Sequence, residues 1–125
     1  MQYKLDKPVH GEIGVGKYQC SIEWRNGNFI CDEPPIEGGA DKGPDPFTLL
    51  LSAVASCALV TLRMYIDHEG WHIPSIAVNT NLYQETKEGN TTTIIDCDIL
   101  FLSPVSEEQK VHLLEIATNC AITKL

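Results

Sequence analysis

Apolar and polar residues alternate in the first third of the chain, which is the pattern of a half-buried strand. Residues 17–25 read KYQCSIEWR, and the residues predicted on one face of this strand are Tyr18, Cys20, Ile22 and Trp24. Asn26-Gly27 is a hairpin turn signal, and Phe29–Asp32 is the predicted returning strand. Pro34-Pro35 ends that strand because proline cannot donate to a sheet ladder. The glycine-rich stretch 11–16 is predicted to be a turn.

A long apolar run at residues 47–66 predicts a helix from Pro46 to about His68. Asp45 can cap this helix, and Pro46 suits its first position, where no amide hydrogen is needed. The run is apolar on nearly all sides, but polar residues interrupt it, which favours a buried helix over a membrane span. The interrupting residues are Ser52, Ser56, Thr61 and Arg63. A helix of about 23 residues would span about 35 Å, so we expect a partner subunit to cover part of it.

The second half of the chain predicts another pair of strands and a second helix. Residues 74–85 and 91–103 are rich in β-branched residues and flank a turn at Glu88-Gly89-Asn90. Ser106 and Gln109 form a capping box, which predicts a helix to about Thr118. The element order ββ-α-ββ-α is typical of the α+β class. The length of 125 residues suits a single domain over residues 1–125.

Charge and cysteine usage narrow the possible partners and the compartment. The formal net charge is −8 and the basic residues are scattered, which excludes a nucleic-acid partner. Residues 1–20 show no signal peptide, so we expect a cytoplasmic protein with reduced thiols and no membrane partner. Five cysteines without a C-x-x-C pair argue against a disulfide framework or a zinc ribbon. The histidines have no ligand spacing, so neither a metal nor a cofactor is expected.

Two cysteines and one arginine are the candidate chemical groups. Cys57, in the middle of the long helix, is either a small buried apolar residue or a reactive thiol, which requires a nearby cation. Arg25 at the hairpin is the best candidate cation, although it could be a solvated turn residue, and Arg63 faces another side of the helix. Cys120 follows a helix whose dipole disfavours a thiolate, so it suits a resolving thiol more than an attacking one. The other cysteines are interpreted as core or sheet residues: Cys20, Cys31 and Cys97.

Three pieces of the sequence together resemble the OsmC/Ohr family over about residues 17–125. The first is the loop and helix start at residues 38–51, GGADKGPDPFTLLL, which lead to Ala55-Ser56-Cys57. The second is the hairpin Arg25-Asn26-Gly27. The third is the second cysteine, Cys120, just past a helix. The resemblance implies an OsmC-like fold, an intertwined homodimer whose long central helices are wrapped by antiparallel β-sheets, with active sites at the interface.

The same resemblance implies thiol-dependent reduction of hydroperoxides, preferentially organic ones. Cys57 would be the peroxidatic thiolate and become a sulfenic acid, and Cys120 would condense with it to a disulfide. Arg25 would stabilise the thiolate and polarise the peroxide. An external dithiol would restore both thiols.

The sequence departs from the active members of the family at two positions. They carry a glutamate just after the helix-initiating proline, where this chain has Phe47, and often a proline after the second cysteine, where it has Ala121. Possible substitutes for the glutamate are Asp45, Asp41 and Glu37. The pattern is closer to the less characterised OsmC-like branch than to Ohr. A second hypothesis is therefore a non-enzymatic OsmC-fold protein that binds a small apolar ligand at the dimer interface.

Overall fold

The computed structural model describes residues 2–120, 122, 123 and 125, and the chain divides into two compact units, residues 1–49 and 50–125. The strands and helices are β1 (His10–Ile13), β2 (Cys20–Trp24), β3 (Gly27–Cys31), α1 (Pro46–Glu69), β4 (Ile76–Lys87), β5 (Asn90–Phe101) and α2 (Glu107–Ala117). The α+β class is confirmed. The single domain and the intertwined homodimer stay predictions.

The N-terminal unit contains an antiparallel sheet in the order β1-β2-β3. Residues 11–13 of the stretch 11–16 that was predicted to be a turn belong to β1, so the prediction was wrong for that part of the stretch. All four residues of β1 are exposed and show no hydrophobic period that would identify a strand. The strand is held by pairing with β2 instead, from His10 opposite Glu23 to Ile13 opposite Cys20. The β2–β3 turn consists of residues 25 and 26, one position earlier than predicted.

A buried carboxylate organises the loop that follows β3. Asp32 is 2 % exposed, and its two carboxylate oxygens accept hydrogen bonds from four backbone amides, those of Tyr18, Glu33, Ala40 and Lys42. Burial alone would raise the pKa of Asp32, but the four amide donors outweigh it and hold this pKa below its ordinary value.

Helix α1 confirms the predicted helix almost residue for residue. The Asp45 side chain accepts hydrogen bonds from the backbone amide and the hydroxyl of Thr48, so Asp45 caps the helix as predicted. Gly70 follows its last residue with a positive φ of 70°, a conformation that glycine adopts readily. By length and composition alone α1 could cross a membrane, and core helices of soluble proteins share this property. One stripe of α1 is buried, and enclosure of its other sides stays a prediction.

The C-terminal unit packs α1 and α2 with the hairpin β4–β5. The hairpin turns at Glu88-Gly89, so Asn90 already belongs to β5. The capping box of α2 is confirmed, with Ser106 and Gln109 each bonding the other's backbone amide at 3.1 Å. The core of this unit is formed by fully or almost fully buried side chains from both helices and from the segment between α1 and β4: Leu62, Ile66, Ile73 and Leu113.

Candidate active site

The structure brings Cys57 and Cys120 together. Cys57 is half-buried in the middle of α1, and Cys120 is 1 % exposed shortly after the end of α2. Their thiols lie within hydrogen-bonding reach of each other. Leu62 on α1 and Leu113 on α2 belong to one buried core cluster, which packs the two helices together. Cys57 lies on α1 and Cys120 follows α2, so the two thiols come together because these two helices share one core.

Hydrogen-bond donors around Cys120 favour its thiolate. Burial raises the pKa of this thiol, but donation from the Cys57 thiol, the Thr123 hydroxyl and the backbone amides of Thr123 and Ile122 outweighs burial, and the pKa of Cys120 lies below its ordinary value. The Thr123 Oγ1–Cys120 Sγ distance is 3.4 Å. The expectation that a thiolate is disfavoured at Cys120 was therefore wrong, because local donors beyond the helix end outweigh the helix dipole.

The Thr123 hydroxyl also lies within hydrogen-bonding distance of two backbone carbonyls. Thr123 Oγ1 lies 2.9 Å from the Cys120 carbonyl oxygen and 3.2 Å from that of Thr118. A hydroxyl has one hydrogen to donate, so it can turn towards the sulfur when Cys120 is ionised and towards a carbonyl when it is not. Ala121, where the sequence departs from the family pattern, lies outside the described residues.

A third cysteine, which the sequence analysis assigned to the sheet alone, lies near this pair. Cys97 is half-buried on β5, opposite Thr80. Burial first, and then the charges of Asp98 and Cys120, raise the pKa of Cys97. The Thr80 hydroxyl also donates to the Leu51 carbonyl of α1 at 3.3 Å, which ties this part of the hairpin to the helix of Cys57. Cys97 therefore lies within electrostatic reach of Cys120.

Cys57 lies on a side of α1 that is apolar and exposed. Positions seven apart in a helix share a face, and Leu50, Cys57 and Met64 are spaced in this way. Val60 extends the same face, and the exposed fractions of Val60 and Met64 are 53 % and 67 %. We call Leu50, Cys57, Val60 and Met64 the Cys57 face. It is separate from the buried stripe of α1, formed by Val54, Ala58, Leu62 and Ile66.

The two candidate arginines have different surroundings. Arg25 lies in the N-terminal unit, in the turn between β2 and β3, and its guanidinium carbon is 5.4 Å from the centre of the Trp24 ring. Its approach to the two thiols stays a prediction. Arg63 donates to the Ile73 carbonyl at 2.8 Å and to Asp67 at 3.2 Å. Arg63 therefore holds the connection between α1 and β4.

The N-terminal unit has a cavity of its own, with a volume of 710 Å³. Its wall includes Tyr18, Cys20, Cys31 and Phe47, the last of which stands where the family pattern has a glutamate. Three further carboxylates also line it: Glu33, Glu37 and Asp45, the last of which caps α1. Among the residues that the structure describes, no three histidines, cysteines or carboxylates cluster in a way that could hold a metal ion.

Comparison with known proteins gives the family and the fold. The sequence profile of the OsmC-like protein family matches residues 39–125. No curated protein matches the chain significantly in sequence. A protein of Psychrobacter arcticus assigned to the osmotic stress and detoxification response is 16 % identical, with a TM-score of 0.79 over 99 % of this chain and 90 % of that chain.

Two further solved structures have the same fold. An OsmC-like protein from Mycoplasma pneumoniae is 19 % identical, with a TM-score of 0.72 over 96 % of this chain and 87 % of that chain. The organic hydroperoxide resistance protein OhrB of Bacillus subtilis is 15 % identical, with a TM-score of 0.64 over 94 % of this chain and 89 % of that chain. At these identities the likeness establishes the α+β fold with two helices and antiparallel sheets.

Proposed function

Because the chain belongs to the OsmC-like protein family, we propose that it is a thiol-dependent peroxidase that reduces hydroperoxides, preferentially organic ones, through Cys57 and Cys120. The observation that carries this proposal is the contact between the two thiols, together with the donors that lower the pKa of Cys120. A structural relative is an organic hydroperoxide resistance protein. We further propose that Arg25 approaches the pair and polarises the bound peroxide.

Cys57 is the sulfur that attacks the substrate, because it is half-buried whereas Cys120 is almost fully enclosed. The Cys57 thiol donates towards Cys120, and this donation is one of the interactions that lower the pKa of Cys120. Transfer of this proton to Cys120 makes Cys57 the thiolate. Cys120 therefore acts first as the base that activates Cys57.

The reaction then proceeds in three balanced steps. The Cys57 thiolate attacks one peroxide oxygen, so that an S–O bond forms, the O–O bond breaks and Cys57 becomes a sulfenic acid. The leaving alkoxide takes the proton held by Cys120 and departs as an alcohol. Cys120, again a thiolate, attacks the Cys57 sulfur, and hydroxide leaves and is protonated by solvent. A dithiol reductant supplies two electrons and two protons to restore both thiols.

We propose a homodimer in which a second copy of the chain covers the Cys57 face. Exposed apolar side chains on this face surround the attacking thiol, and a partner that buries them would exclude water from the reaction. Size-exclusion chromatography with light scattering tests this assembly. Met64→Glu should give monomers, whereas Val15→Glu, in an exposed stretch between β1 and β2, should leave the dimer intact. Equal effects of both variants would contradict the assignment of this face.

Turnover of cumene hydroperoxide with dihydrolipoamide tests the activity. We expect consumption of the peroxide that is abolished in Cys57→Ser. Cys120→Ser lacks both the base and the resolving thiol, so it should oxidise Cys57 more slowly and leave it as an unresolved sulfenic acid. Cys20→Ser, a half-buried cysteine of the other unit, is the matched control and should retain turnover. Absence of turnover with both cumene hydroperoxide and hydrogen peroxide would refute the proposal. We propose a cytoplasmic setting, where the thiols on which this activity depends stay reduced.

The second candidate function is non-enzymatic binding of a small apolar ligand at the dimer interface. Phe47 in place of the expected glutamate favours it, because a phenyl ring cannot orient an arginine through a carboxylate. Alkylation of Cys120 across a pH series separates the two functions. A midpoint well below about 8.5, the free-cysteine pKa, supports catalysis, and an ordinary midpoint supports binding.

A further inference from the structure

A second pair of cysteines lies within the N-terminal sheet. Cys20 on β2 and Cys31 on β3 are direct partners in the antiparallel register. Directly opposite residues in such a pair have Cα atoms about 4.5 to 5.5 Å apart, which falls within the range of about 4.4 to 6.8 Å that a disulfide spans. Their thiols are already within hydrogen-bonding reach. A disulfide could therefore form here without a change in strand pairing.

The two thiols differ in access. Cys31 is 4 % exposed and Cys20 is half-buried. Burial, and then the neighbouring Cys20, raise the pKa of Cys31. A reagent from solution therefore meets Cys20 first, and Cys31 is held as a thiol beside it. This arrangement of one accessible and one enclosed thiol is the arrangement that thiol–disulfide exchange needs.

Both cysteines line the 710 Å³ cavity of this unit, which has room for a small molecule. The same wall carries the carboxylates of Glu33, Glu37 and Asp45. Among the described residues that line the cavity there is no basic side chain. A surface of this charge attracts a cation and repels an anion.

We propose that Cys20 and Cys31 form a second dithiol–disulfide couple, which exchanges with small cationic disulfides that enter this cavity. It is chemically separate from the peroxidase pair and goes beyond the proposed function. The Cys20 thiolate attacks one sulfur of the small disulfide, forms a mixed disulfide and releases one thiol. Cys31 then loses its proton and attacks the Cys20 sulfur, which closes the protein disulfide and releases the second thiol. Two protein thiols are oxidised and one small disulfide is reduced to two thiols.

The sequence makes this couple easy to measure. Trypsin cleaves after Arg25, between the two cysteines, so a Cys20–Cys31 disulfide joins peptides 18–25 and 26–42. The triple variant Cys57→Ser, Cys97→Ser, Cys120→Ser keeps only this pair, and the unmutated protein gives the same linked peptides if the triple variant does not fold. Each protein is exposed to cystamine, a dication, or to oxidised glutathione, an anion, then quenched with acid and mapped by mass spectrometry.

We expect linked peptides 18–25 and 26–42, formed about tenfold or more faster with cystamine than with oxidised glutathione. In the matched variant Cys31→Ser the reaction should stop at a mixed disulfide on Cys20. Three results would each overturn the proposal: no linked peptides after prolonged exposure, a mixed disulfide on Cys20 that persists although Cys31 is present, or equal rates with the two reagents. Loss of peroxidase turnover alone would leave these outcomes unchanged, so the two proposals fail independently.

Discussion

Replacement of Leu113 by alanine tests whether core packing of α2 brings Cys120 close to Cys57. Leu113 is fully buried on α2 within the core cluster. The change removes three carbons, which costs about 2.4 kcal/mol at about 0.8 kcal/mol per buried CH₂. A residual cavity of about 60 Å³ adds about 1.4 kcal/mol. We therefore expect the free energy of unfolding to fall by about 3 to 4 kcal/mol.

The neighbouring position provides the matched control. Leu114 carries the same side chain on the same helix but is 53 % exposed, so Leu114→Ala should cost about 1 kcal/mol or less. Urea unfolding followed by far-ultraviolet circular dichroism measures both values. Costs that agree within about 1 kcal/mol would show that α2 is not docked through Leu113. A looser α2 should also lower the yield of the Cys57–Cys120 disulfide per peroxide, which peptide mapping measures.

Three further predictions concern single groups. Thr123→Val removes a donor and should raise the pKa of Cys120, so alkylation of this thiol at neutral pH should slow; an unchanged rate would exclude a role for the hydroxyl. Asp32 has a folded pKa below its unfolded value of about 3.9, so its contribution to stability is complete above that value and is lost as the pH falls through the folded pKa. Asp32→Asn should therefore be less stable than the unmutated protein at pH 7, with a gap that narrows below about pH 4; a constant gap in urea unfolding would contradict this. Gly43→Ala should destabilise the protein, because the added carbon would overlap the backbone of β3, whereas Gly14→Ala meets nothing within 4 Å and should be neutral; comparison of their melting temperatures decides this.

Local rules explain why much of the fold could be predicted from the sequence. Helix α1 and the capping box of α2 follow from short-range patterns, and both were found within a residue or two. The turn of the first hairpin was predicted one position too late, which shifts the predicted strand pairing by two residues and separates Cys20 from Cys31. A turn at Asn26-Gly27 would set Cys31 opposite Ile22, whereas the observed turn sets it opposite Cys20.

The candidate site was less accessible to sequence reasoning. Family resemblance singled out Cys57 and Cys120, and their contact depends on core packing that no local pattern reports. The donors that stabilise the Cys120 thiolate come from a short turn beyond α2 and from a thiol far away in the sequence. The prediction from the helix dipole considered α2 alone, and it therefore gave the wrong direction for the stability of the Cys120 thiolate. The proximity of Cys97 depends on the placement of β5, which the alternation of that strand does not specify.

The cage around Asp32 has a consequence for re-engineering of the chain. Because one carboxylate joins amides that are up to 14 positions away from it in sequence, a cut or insertion in residues 33–42 would separate donors that share a single acceptor. The Glu88-Gly89 turn closes two strands that pair along their whole length, and residues 86 to 90 are exposed. A circular permutant with its new termini at that turn should therefore fold. In a permutant with new termini beside Ala40, the N-terminal unit should fail to fold.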